Sequence, residues 1–86
     1  MKKVIETDES EGLESLLGEK VLLLCANYFY AGKLVGVNDT YIKLEEPSII
    51  YETGEWGSAV YKDVQRLPVA EWYIRTEMIE SFGRGK

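Results

Sequence analysis

The period of the apolar pattern changes along the chain. In residues 5–18, Leu13, Leu16 and Leu17 fall at i, i+3 and i+4, a narrow stripe that predicts a short α-helix over about residues 8–17. Asp8 is placed to cap it, Glu11 three positions on completes a capping-box pattern, and Gly18 stands where a C-terminal glycine belongs. Glu9, Glu11 and Glu14 suit the positive end of the helix dipole. So short a helix is unstable alone, so its leucines are expected to dock on a larger body. Its acids read as a solvated face rather than a metal site, because a cation cage needs converging oxygens.

From Lys20 onward the period falls to two. Residues 21–25 predict a buried strand, Ala26-Asn27 a turn, and residues 28–37 a second strand interrupted by Gly32 and Gly36. Glycine inside a strand marks a bend, a bulge or a close backbone approach. Two of them four apart predict a curved strand shared between the halves of a small barrel. Asn38-Asp39 is a tight-turn signal, and residues 40–45 alternate cleanly as a third strand. Pro47 is expected to break that ladder, which Ile49, Ile50 and Tyr51 resume. In a long excursion over about residues 47–69, Thr53-Gly54 and Gly57-Ser58 are turn signals around Trp56. Residues 61–67 read equally as helical or extended, and Pro68 ends them. Residues 72–75 predict a fourth strand, residues 78–82 a fifth, and Thr76-Glu77 the corner between them. The tail, residues 83–86, is expected to fray.

Composition narrows the chemistry. Eighty-six residues allow one domain, and 45% apolar with 29% charged residues is an ordinary globular balance. With no histidine and one cysteine, Cys/His zinc sites, Ser-His-Asp triads and disulfides within the chain are excluded. Ten bases against fifteen acids give a net charge of −5, hence no global attraction to nucleic acid or to an anionic membrane. The longest unbroken apolar run, residues 21–26, is far short of a membrane span, and Met1-Lys2-Lys3 precedes no apolar stretch. No membrane association is expected, and Cys25 reads as a buried, reduced thiol in a cytoplasmic protein.

Catalysis is not expected. Asp39, Asp63 and the glutamates stand beside no second catalytic residue type, Cys25 has no histidine to activate it, and Lys20 reads as exposed. No phosphate-binding Gly-Lys-Ser/Thr loop is present, and Gly32-x-x-x-Gly36 lacks the apolar twenty-mer of a membrane dimer motif. No cofactor, metal or small-molecule substrate is therefore expected. The ten aromatics, interleaved with Lys33 and Lys43, read as base-stacking groups or as core, cross-strand pairs and subunit contacts.

The order of elements and the residues filling it resemble the Sm and Sm-like (LSm, Hfq-related) family. Gly32, Leu34, Val37, Asn38-Asp39 and Tyr41-Ile42-Lys43-Leu44 are similar to its first motif, and residues 73–79, with Ile74-Arg75 and Ile79, to its second. Thr76 stands where the second motif has glycine, and the family's base-pocket asparagine has no counterpart in Thr40-Tyr41-Ile42. The resemblance covers about residues 10–46 and 70–82.

It implies a small, bent, five-stranded antiparallel SH3-like barrel of the Sm type over about residues 19–82, with the helix as a cap. It also implies a homo-oligomeric ring of five to seven subunits, with Trp72, Ile74, Met78 and Phe82 at the contacts. Single-stranded RNA would sit near Asn38, Tyr41 and Arg75, where Asn38 can bond a base edge, Tyr41 offers a π-face and Arg75 stacks or bonds phosphate. The alternatives are that Arg75 pairs with a carboxylate such as Glu77 or Asp39 across a subunit contact, and that the chain is a protein-interaction or assembly module without nucleic acid. In that case the excursion is the contact surface and Trp56 its exposed contact residue.

Overall fold

The computed structural model describes residues 11–86. It is mainly β: β1 (Lys20–Cys25), β2 (Phe29–Val37), β3 (Tyr41–Glu52), β4 (Asp63–Arg66), β5 (Glu71–Arg75) and β6 (Ile79–Arg84). Two 3-10 turns, Leu13–Leu16 and Thr76–Met78, complete it. Every pairing is antiparallel, in the order β4-β3-β2-β1-β6, with β5 also paired to β3. The sheet is open and six-stranded rather than five-stranded, because the ambiguous residues 61–67 contain β4.

The centre of the design is β3, which serves two partners in succession. Its first half pairs with β5, from Tyr41↔Arg75 to Glu45↔Glu71, and its second half with β4, from Ser48↔Arg66 to Glu52↔Asp63. Pro47 interrupts the ladder as expected, with neither Glu46 nor Pro47 paired and pairing resumed at Ser48, while β3 runs on through it. Glu46 adopts φ 52 and turns the chain, the Glu46 N–H donates to Ala70 O at 3.3 Å, and the Pro47 carbonyl accepts from Leu67 N at 2.9 Å. The missing proline donor falls at the one place where the partner strand itself is interrupted. The expected excursion is therefore a bent hairpin.

β2 follows the same bend. Its register to β3 shifts between Ala31 and Lys33 and again between Leu34 and Gly36, so both glycines lie at irregularities. At Gly32 a Cβ would sit 2.9 Å from Glu45 O and 3.3 Å from Leu44 Cβ. Only a residue without a side chain lets the two backbones come this close.

The N-terminal α-helix is corrected. Among the described residues there is no α-helix, and Asp8 and Glu9 lie outside them. Gly12, at φ 72, sets Leu13–Leu16 apart as a single turn, in which Ser15 N and Oγ both donate to Gly12 O. Gly18, at φ 85, then diverts the chain towards β1 while its N–H donates to Leu34 O at 2.7 Å. Residues three apart eclipse in a 3-10 turn, so Leu13 and Leu16 share the face packed on the core. Leu17 falls off that face and is 47% exposed.

Burial explains the unbroken apolar run of β1. Val21, Leu23 and Cys25 point into the main core with Leu34, Ile42, Leu44, Ile74 and Leu16. Leu22 points to the opposite face, where it meets Ala31 and Ile50 under Leu24, Phe29 and Tyr61. Both clusters are built on buried aliphatic residues, and none of the ten aromatics is fully buried. Phe29, Tyr30 and Tyr61 pack half-buried against these clusters, and the other seven are exposed.

The tail is not frayed. β6 pairs with β1 as far as Arg84, Gly85 N donates to Lys20 O at 2.9 Å, and Lys86 N donates to the Tyr61 hydroxyl. The Lys86 ammonium reaches the carbonyls of Thr53, Glu55 and Val60 at 2.8, 2.9 and 3.2 Å, clamping the far end of the β3–β4 hairpin.

Candidate functional site

Asn38, Tyr41 and Arg75 meet at one corner of the sheet. Asn38 Oδ1 accepts the N–H groups of Thr40 and Tyr41 at 2.8 and 2.7 Å, an Asx turn that starts β3. Tyr41 and Arg75 face each other directly in the ladder. Thr76 ties the β5–β6 corner to this turn, its N–H donating to Thr40 O at 2.9 Å and its Oγ1 to Asp39 O at 2.7 Å. Thr76 thus contributes a hydroxyl pin at this corner.

The chemistry left over at this corner is specific. The Asn38 carbonyl oxygen is occupied by the turn, so its amide N–H groups are what it can offer a base. Arg75 Nη1 lies 3.4 Å from Glu77 Oε1, with both side chains more than 60% exposed. An exposed pair of this kind contributes little, and the guanidinium keeps other donors for a phosphate. Two residues not grouped with these three extend the surface. Tyr73 stands edge-on to the Tyr41 ring at 6.5 Å, and the Lys43 ammonium lies 5.8 Å above Tyr73. Lys43 also bonds Glu71, whose hydrogen bond and charge raise its pKa above the usual lysine value. Period two from Tyr41 and from Arg75 gives Lys43 and Tyr73, so the signal was available once the two strands were paired.

The second set of candidates lies along strand edges. β5 is paired only to β3 and β6 only to β1, which leaves one edge of each without a ladder partner among the described residues. Trp72, Met78 and Phe82 are 37%, 45% and 42% exposed beside these edges. Ile74 is different: at 7% exposure its side chain belongs to the core, because alternation turns it inward between Tyr73 and Arg75. It can therefore offer a neighbour its backbone, not its side chain. A groove of about 270 Å³ runs between the β1–β2 turn and β5, lined by Tyr28, Tyr30, Trp72, Tyr73 and Met78. Cys25 lies at its floor, and burial pushes its thiol pKa up. Trp56, 70% exposed, and Val60, 69% exposed, project from the clamped hairpin end.

Among the described residues no group of three or more Cys, Asp and Glu side chains converges as a metal cage, and no helix is long and apolar enough to cross a membrane. No protein-family model, curated protein or solved structure matches this chain.

Proposed function

We propose that this chain is a non-enzymatic module of Sm-like fold that assembles into a homo-oligomeric ring of five to seven copies by strand addition. One observation carries the reading: of the strand edges left unpaired among the described residues, at β4, β5 and β6, those of β5 and β6 are bordered by exposed Trp72, Met78 and Phe82. An open edge is a template for another strand, and joining unlike edges head to tail gives a closed ring where the rotation allows. The Sm-type barrel is part of this proposal. It is supported by the order of strands, the two irregularities in β2 and the turn between β5 and β6. Light scattering tests it: a ring gives five to seven times 9.8 kDa, and a clean monomer at micromolar concentration overturns it.

The ring binds single-stranded RNA weakly, through Arg75, Tyr41 and the Asn38 amide, with Tyr73 and Lys43 alongside. Convergence of these residues on one corner favours this, and the net charge of −5 per copy keeps it weak. Titration of labelled oligouridine is expected to give micromolar or poorer affinity that falls with salt and is lost in Arg75→Ala. The second reading is an assembly module for a protein partner without nucleic acid, favoured by the occupied Asn38 oxygen, the Arg75–Glu77 pair and exposed Trp56. Absence of oligouridine binding at low salt, with the ring intact, selects it.

A further inference from the structure

We infer that a concavity away from the Asn38–Tyr41–Arg75 corner holds a binding site for a compact, multiply charged anion of the phosphate class. The site is a concavity of about 700 Å³ between β1, β2, β4 and the C-terminal residues. Its volume lies within the usual range of small-molecule sites, about 300–1,000 Å³. Five of the ten basic residues of this acidic chain line it: Lys20, Lys33, Arg66, Arg84 and Lys86. Two carboxylates, Glu19 and Glu46, face them.

The arrangement of the five cations identifies the ligand chemistry. Lys20 and Lys33 are direct ladder partners, so their side chains leave the same face of the β1–β2 pair. Like charges placed opposite each other across strands are destabilising, and neither ammonium has an ion-pair partner among the described residues. Glu45 on β3 is the ladder partner of Lys33 on its other side, without an ion pair between them. Both carboxylates of the concavity are already engaged, Glu19 by Arg84 at 3.3 Å and Glu46 by Arg66 at 3.7 Å. Each guanidinium keeps free N–H donors beyond that single contact. Lys86 spends its three donors on backbone carbonyls and supplies charge alone.

Two ammonium groups without ion pairs and two partly free guanidinium groups on one concave wall are neutralised by clustered phosphate oxygens. The ligand is compact rather than polymeric for an electrostatic reason. Beyond this patch the chain carries more acids than bases, so a long polyanion meets repulsion as it leaves. A small anion stays within one Debye length, roughly 8 Å at physiological salt, of the basic cluster. Val64 and Tyr61 add an apolar border for the non-phosphate part of such a molecule.

This site shares no residue with the Asn38–Tyr41–Arg75 corner and does not depend on the RNA reading. The test is calorimetric titration of the intact protein with sodium tripolyphosphate at fixed ionic strength, for wild type, Lys20→Gln, Lys33→Gln, the double variant and Lys62→Gln. Lys62 is an exposed base outside the concavity and serves as the control. Saturable binding is expected, at least about tenfold weaker in each single variant, a loss of about 1.4 kcal/mol. It is expected to disappear in the double variant and to persist in Lys62→Gln. Without ligand, Lys20→Gln and Lys33→Gln are expected to melt no lower than wild type, since each relieves an opposed like-charge pair. Equal binding in all variants, or none in the folded wild type, overturns the site. Oligouridine that binds more tightly than tripolyphosphate and loses that binding in the double variant overturns the compact-ligand assignment.

Discussion

Replacing Gly32 by alanine tests the bend on which the whole sheet depends. The added Cβ would stand 2.9 Å from Glu45 O, 3.3 Å from Leu44 Cβ and 3.4 Å from Pro47 Cα. The nearest atom is a backbone carbonyl, just ahead of the Glu46–Pro47 kink, so it cannot swing aside as a side-chain end would. Overpacking of this kind costs about 1–3 kcal/mol. Alanine also lowers the entropy of the unfolded chain, which returns about 0.4–1 kcal/mol. The net expectation is a loss of about 1–2 kcal/mol, taking the two together. For a domain this small that lowers the melting temperature by roughly 5–15 °C. Gly57→Ala is the matched control: nothing lies within 4 Å of its Cβ, so it should melt within about 0.5 kcal/mol of wild type. Urea and thermal melts of the two variants side by side are the assay. If Gly32→Ala and Gly57→Ala unfold together, the close approach of β2 and β3 is not what constrains position 32.

Three further outcomes follow from particular contacts. Leu16→Ala should destabilise by about 2–5 kcal/mol, whereas Leu17→Ala should fall within about 0.5 kcal/mol of wild type; equal effects in urea melts would refute the 3-10 placement of the leucines. Thr76→Val removes the hydroxyl bonded to Asp39 O and should cost about 0.5–1.5 kcal/mol, with faster amide exchange at Thr40 and Tyr41. Burial raises the Cys25 thiol pKa, so this group favours the folded state below the unfolded thiol pKa and ceases to do so as pH rises towards the folded value. Stability should thus decline above about pH 8.5, the ordinary thiol value, less steeply in Cys25→Ala, and alkylation at pH 8 should be slow until urea unfolds the chain.

Much of the sheet was legible because period two and glycine carry direct geometric meaning. The residues expected in β1 and β2, the turn at Asn38 and the corner at Thr76 all appear within a residue or two. Gly32 and Gly36 were readable as irregularities because glycine inside a strand marks them, and at Gly32 a Cβ would press on the Glu45 carbonyl. The failures have equally local causes. The leucine stripe fits an α-helix and a 3-10 turn alike over one turn, and the difference rests on the positive φ of Gly12. The ladder break at Pro47 was legible, but the change of partner from β5 to β4 across it was not, because the interruption at residues 67–70 is a tertiary fact. The ordering of the tail is another, since nothing near Lys86 in sequence announces the three carbonyls of a hairpin some thirty residues away.

The candidate sites divide along the same line. Asn38, Tyr41 and Arg75 could be named in advance from a motif, yet Lys43 and Tyr73 join them only when β3 and β5 are set in register. The five cations of the concavity are spread from residue 20 to residue 86, and no local pattern marks them. What sorts one surface from the other is the division of labour between side chains. The aliphatic residues of β1, β2 and β3 fill the interior, which leaves the aromatics of the strands, turns and hairpin at or near the surface. Large rings left in water cost free energy unless something covers them, and they lie along the unpaired edges and the hairpin end. Five of the ten basic residues gather instead around the concavity between β1, β2 and β4. The unpaired edges are thus chemically suited to other protein surfaces, and the concavity to a small anion.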